Sequence, residues 1–138
     1  MPFFGRARGL NPSPCAGAPT VATCVITQVA GGDCDGADDF IIFRTTVTLS
    51  GSLGGEFALQ YKVCSSRSSG CSPTDDGAPQ AGLTKDKEHN DLALTGGINP
   101  ANLYVNAEVE VVHTGSSTVC SSLAATEKVE ANVRDCLA

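Results

Sequence analysis

The sequence predicts an all-β chain, about seven antiparallel strands closing into two stacked layers, and three observations carry that expectation. Apolar and polar residues alternate with a period of two in segment after segment, as in half-buried strands. Glycine (15) and proline (7) fall between those segments, and Thr, Val and Ser are abundant. The 138 residues amount to one domain, long enough to bury about two-thirds of the unfolded surface around a single core.

Residues 1–19 are rich in Pro, Gly and Ala and read as an extended leader, not a helix. Phe3 and Phe4 are out of place in a free tail, which marks them as anchors against the body or another subunit. Thr20 to Ala30 is the first strand, alternating Val21, Thr23, Val25, Thr27 and Val29 against Ala22, Cys24, Ile26 and Gln28. Gly31 to Asp39 is a loop. Phe40 to Ser50 is the second strand, with Ile41, Phe43, Val47 and Leu49 inward. Gly51-Ser52-Leu53-Gly54-Gly55 then turns the chain into a third strand, where Phe57, Leu59, Tyr61 and Val63 alternate with Ala58, Gln60 and Lys62. So short a connection predicts a hairpin between strands two and three.

Ser65 to Pro79 has no periodicity and reads as a long exposed loop, with Cys64 and Cys71 at its root. Ala81 to Lys85 reads as a short edge strand, and the charged run Lys85-Asp86-Lys87-Glu88-His89 suits an edge that must not aggregate. Leu92 to Val112 is a short strand, a corner at Thr95-Gly96-Gly97 and Asn99-Pro100, then a long strand with Leu103, Val105, Ala107, Val109 and Val111 on one face. A last strand is expected over Lys128 to Arg134, with room for a short helix at Ser122–Glu127 before it.

Ile98, Pro100 and Tyr104 stand at the apolar-x-Pro-x-x-x-Tyr spacing that precedes the sixth strand of fibronectin type III domains. The chain resembles that family and its immunoglobulin-like relatives over about twenty residues. The resemblance implies a seven-stranded antiparallel immunoglobulin-like (fibronectin III-like) sandwich over residues 20–138, behind an extended N-terminal arm over 1–19. It also implies a tyrosine corner, the Tyr104 hydroxyl tying back to nearby backbone. One departure is visible: Tyr104 falls in step with Asn106 and Glu108, not with the apolar residues that follow. A bulge after Tyr104 restores the family's register; without one Tyr104 is a rim residue.

Charge is unevenly placed. Residues 1–32 hold Arg6 and Arg8 and no acid, so this part is +2 and the remainder −8 of the overall −6. An acidic body repels nucleic acid, and no apolar run approaches a membrane span, so neither is an expected partner. The basic leader is either a frayed end or a segment that docks on an acidic neighbour.

Seven cysteines (15, 24, 34, 64, 71, 120 and 136) are many for a reducing compartment, yet the first residues lack the apolar core of a secretion signal. Two settings reconcile these facts: a mature secreted domain behind a new Met, or a virus particle released by lysis, whose disulfides form late. The cysteines lack the close pairs of structural zinc sites, with only His89 and His113 to assist. Cys64–Cys71 is the first-choice disulfide, then Cys120–Cys136, then Cys24–Cys34, leaving Cys15 for another chain or as a free thiol. Alternatively, several remain reduced and pack as small hydrophobes.

Asp33, Asp35, Asp38 and Asp39 have the oxygen density that Ca²⁺ favours, without the final Glu of an EF-hand; the other reading is a solvated turn. No other metal and no cofactor is expected. No nucleophile, metalloprotease, phosphate-loop or dinucleotide motif occurs, and Glu108 and Glu110 lie on the outer face of a strand, so no enzyme is expected.

The expectation is therefore a structural or assembly protein. The setting resembles tailed-phage virions, whose small capsid-decoration and tail proteins use such sandwiches; this is an analogy of fold and size. Phe3, Phe4, Arg6, Arg8 and Cys15, with the strand edges, would hold neighbouring subunits in a homo-oligomeric or multi-copy assembly. The alternative is a secreted or cell-surface adhesion module that recognises a ligand through loops 31–39 and 65–79.

Overall fold

The computed structural model describes residues 13–31, 41–66, 71–89 and 104–128. Its strands are β1 (Val21–Gly31), β2 (Ile41–Leu49), β3 (Phe57–Ser66), β4 (Thr74–Asp75), β5 (Thr84–His89), β6 (Tyr104–His113) and β7 (Thr118–Lys128). They form two antiparallel sheets, a three-stranded one in the order β1-β2-β5 and a four-stranded one in the order β4-β3-β6-β7. The arrangement is sandwich-like, with β1 lying across β6 and β7 and β5 beside β3.

The alternating residues decide which face turns inward. Phe57, Leu59, Tyr61 and Val63 of β3 stand beside Val105, Ala107, Val109 and Val111 of β6, all buried. Phe43, Thr45 and Val47 of β2 with Val21 and Ile26 of β1 are the buried residues of the other layer. Burying each larger aliphatic or aromatic side chain contributes about 1.5–3 kcal/mol, and Leu59, Val109 and Val111 are fully enclosed.

Several expectations need correction. β2 and β3 form no hairpin: β2 pairs with β1 and β5, β3 with β4 and β6. Residues 50–56 are long enough to cross the roughly 10 Å between layers, and crossing sets the two apolar faces against each other. The helix considered at Ser122–Glu127 is strand instead, inside β7; most of the strand expected over 128–134 lies outside the described residues. Ser, Ala and Thr suffice there because an edge strand covers the core only in part. The loop expected over 65–79 contains β4, paired to Lys62 and Val63.

β1 has an irregularity between Val21 and Thr23, which puts Val21 and Ile26 inward and leaves Val25 50% exposed. The charged run lies on an edge strand as expected, but β5 spans Thr84–His89, and Ala81–Leu83, expected to open that strand, precede it. Before it the chain switches sheets: Leu59 N–H donates to Gln80 O (2.7 Å) and Gln80 N–H to Leu59 O (2.9 Å), then Val47 N–H donates to Leu83 O (2.9 Å).

The described part of the leader, Ser13 to Thr20, is a turn held on the body. Ala16 N–H donates to Ser13 O and Ala18 N–H to Cys15 O (3.0 Å each), Ala18 packs against the core, and Pro19 is buried. Cys15 is bonded to Cys120 in β7. That corrects both the Cys120–Cys136 pairing and the view of Cys15 as an interchain or free thiol. Cys64–Cys71 is bonded as expected. Cys24 is a free, half-buried thiol, so the Cys24–Cys34 pairing is also corrected; its inward position points it into the layer instead of toward the loop.

Tyr104 pairs with Ser66 and Lys128, and the β3–β6 register runs unbroken from Tyr104 to His113. It therefore shares the outer face with Asn106 and Glu108, and no bulge restores it to the apolar side. Ile98 and Pro100 lie outside the described residues, as do Phe3, Phe4, Arg6, Arg8, Cys34, Cys136 and the calcium candidates Asp33, Asp35, Asp38 and Asp39.

Candidate functional site

The strand parity that fills the core turns the intervening residues of β3 and β6 onto the outer face of the four-stranded sheet. There Ala58, Gln60 and Lys62 of β3, Glu110 and Val112 of β6 and Val119 of β7 floor a groove of about 720 Å³. One wall is the β4 segment, at Asp75 and Pro79; the other is the β6–β7 turn, at Thr114 and Ser117.

Each wall is held by the floor. The Gln60 amide donates to the carbonyls of Tyr61 and Gly77 (3.0 Å each), and Asp76 N–H donates to Tyr61 O (2.8 Å), so the β4 segment is tied along the edge of β3. Gln60 is buried although it faces outward. At the far end of the same face the Cys64–Cys71 disulfide lies beside Asn106, whose amide contacts Cys71 Sγ (3.0 Å) and accepts from Thr126 Oγ1 (2.6 Å). Lys62 Nζ stands 3.6 Å from Glu110 Oε2, an ion pair partly recessed on the floor.

In the β6–β7 turn, His113 Nδ1 accepts the Ser116 N–H (3.2 Å) and lies 2.8 Å from Ser116 Oγ, which also meets Thr118 Oγ1 at 2.8 Å. The proton of the neutral ring then sits on Nε2, which faces Glu56 at 3.9 Å. Hydroxyl, imidazole and carboxylate stand in series, but Glu56 Oε1 is beyond hydrogen-bond length and Ser116 is three residues from His113 in one turn. The arrangement locks the turn. Ser117 closes it with φ 58°, a left-handed conformation that favours glycine.

Chemically this face is a partly walled recess of mixed character. It offers apolar floor at Ala58, Val112 and the 48%-exposed Val119, and carboxylates at Asp75 and Glu110 against the single ammonium of Lys62. Among the described residues no group of three or more His, Cys, Asp or Glu stands close enough to hold a metal ion.

The alternation had assigned Glu110 to an outer face, but nothing in it singled out Gln60 or His113. An amide inside the apolar run Phe57–Val63 is the one signal that marks Gln60 in advance. Alternation gives Tyr61 a place in the third strand and no more. Its hydroxyl donates to Gly82 O (2.7 Å), tying β3 to the segment that switches sheets, and burial foremost, with neighbouring Cys24, pushes its pKa up to about 12. The sequence matches no family model, and no curated protein and no solved structure is found similar to it.

Proposed function

We propose that this chain is a structural, assembly-type component of a virus particle, a capsid-decoration or tail protein that holds its neighbours through its N-terminal segment and strand edges. The finer fold reading belongs to this proposal. The order β1-β2-β5 against β4-β3-β6-β7 corresponds to the A-B-E and C′-C-F-G sheets of fibronectin type III domains. The fourth strand pairs with the third, unlike the A-B-E-D sheet of antibody constant domains.

The observation that carries the functional reading is the Cys15–Cys120 bridge, which roots the basic, aromatic N-terminal segment at a fixed point on edge strand β7. A tether docks best from a fixed root, because every free residue between body and contact loses entropy on docking. Val119 and Leu123 expose apolar surface on the same strand. Disulfides suit a particle that meets an oxidising medium after release. A second reading, a secreted adhesion module, is favoured by one feature, the Cys64–Cys71 disulfide held against Asn106 at the root of the stretch 65–79.

The test is fractionation of purified particles on a density gradient. The chain is expected in the particle band, and a form with Phe3, Phe4, Arg6 and Arg8 all changed to Ser is expected to fall out of it while retaining a β-type circular dichroism spectrum. Recovery only in the soluble fraction overturns the proposal. Binding of the purified protein to cells in place of particles favours the second reading.

A further inference from the structure

The root of the N-terminal segment and the groove are neighbours. Cys15 is bonded to Cys120, and the residue before Cys120, Val119, is part of the groove floor; Cys15 Sγ lies 4.0 Å from the Val119 carbonyl oxygen. The described chain starts at Ser13, two residues before Cys15, and residues 1–12 lead into it. They carry Arg6 and Arg8 with no acid, and two adjacent aromatics. The groove presents the opposite chemistry, Asp75 and Glu110 against Lys62 over a floor of Ala58, Val112 and Val119.

We infer that this groove receives residues 1–12 of a second copy of the chain, exchanged reciprocally across a two-fold axis beside β7. The inference rests on the assembly reading and names its homotypic contact. Laid down extended, as the Pro/Gly-rich leader predicts, Phe4, Arg6 and Arg8 fall on one face about 7 Å apart. Glu110 is one strand over from Val119 and two residues along β6 from its pair Val112, roughly 8 Å in all, so an aromatic over Val119 sets an arginine near Glu110. A root beside its own groove is what reciprocal exchange needs, since a two-fold axis there brings each root next to the partner's groove. The same axis covers Val119, which the single copy exposes by 48%.

The test uses three full-length chains in sedimentation equilibrium: wild type, an arm variant (Phe3→Ser, Phe4→Ser, Arg6→Glu, Arg8→Glu), and Val119→Asp. Val119→Asp changes a surface position and should leave the fold intact. Wild type is expected to dimerise, and each variant to dissociate at concentrations at least about tenfold higher, the arm variant through its lost ion pair and apolar contact and Val119→Asp through a carboxylate set under an aromatic ring. Mixed together, the two variants are expected to form a one-to-one heterodimer, since one supplies the arm and the other the groove. Combining Arg6→Glu and Arg8→Glu with Glu110→Arg is expected to restore dimers.

A Val119→Asp chain that dimerises like wild type overturns the inference. So does a wild type that stays monomeric with Arg6 or Arg8 crosslinked to its own Glu110. The assembly reading fails separately: if incorporation into particles is lost with the arm variant but kept with Val119→Asp, that reading stands and only the groove contact is wrong. If both variants incorporate normally, both are wrong.

Discussion

The two sheets share one core and differ on their outer faces. On the three-stranded sheet the outer positions Thr23, Val25, Thr27, Arg44 and Thr48 are open to solvent. Their contacts are those of a wet surface: a Thr23–Thr48 hydroxyl pair and an Arg44–Asp86 ion pair at 2.8 Å. On the four-stranded sheet the outer residues Ala58, Gln60, Asn106 and Val112 are buried, because the Cys64–Cys71 disulfide, an edge segment and a turn rise around them. A polar group can stay inside such a wall only if it is bonded, and Gln60 and Asn106 are. Recess is therefore concentrated on one sheet.

The sharpest way to break this asymmetry is to cut its covalent supports. Replacing Cys15 and Cys120 by Ala is expected to cost about 4–5 kcal/mol, against about 2 kcal/mol for Cys64 and Cys71, since the entropy of the opened loop grows with sequence separations of 105 and 7 residues. Urea midpoints rank the two; equal losses would remove loop length as the cause.

Next is the alkaline limit. A Tyr in the unfolded chain ionises near pH 10, whereas Tyr61 in the fold holds its proton to about 12. The contribution is complete below pH 10 and is lost as pH climbs through that window, about 2–3 kcal/mol in all. Tyr61→Phe is expected to flatten this slope and to cost about 1 kcal/mol at neutral pH through the missing bond to Gly82. An unchanged slope in the variant would place the titration on another group.

The outer faces themselves are compared by alanine. Asn106→Ala should destabilise by about 1–2 kcal/mol, because Cys71 and Thr126 lose their shared partner. Thr27→Ala on the open sheet should stay within about 0.5 kcal/mol. Equal effects in thermal unfolding would mean that the walls add nothing. The smallest effect is a gain: Ser117→Gly should raise stability by about 0.5–1 kcal/mol by relieving the φ of 58°, with Ser117→Ala as the unimproved control.

What was legible in the sequence followed from local pattern. The faces of β3 and β6 read directly from alternation, and Cys64–Cys71 from proximity along the chain. What was not legible depended on a partner far away. The Gly-rich stretch 51–55 looks the same whether it closes a hairpin or crosses between layers. The irregularity near Val21 reverses which of Val25 and Ile26 is inside, and nothing in an alternating run announces it. The sequence suggested Tyr104 as the tyrosine that ties back; Tyr61, inside an apolar run, carries a bond of that kind to a carbonyl 21 residues on. The groove is illegible for the same reason, since its floor and both walls come from four separate stretches of chain.

The bridge between Cys15 and Cys120 has a mechanical consequence. A pull on the chain ahead of Cys15 is passed through sulfur directly into β7, so β1 feels none of it and cannot be peeled from β2 at that end. Tension instead meets a strand hydrogen-bonded along its length to β6. Reducing agent would switch the path of force, and the same pull would then unzip the first strand.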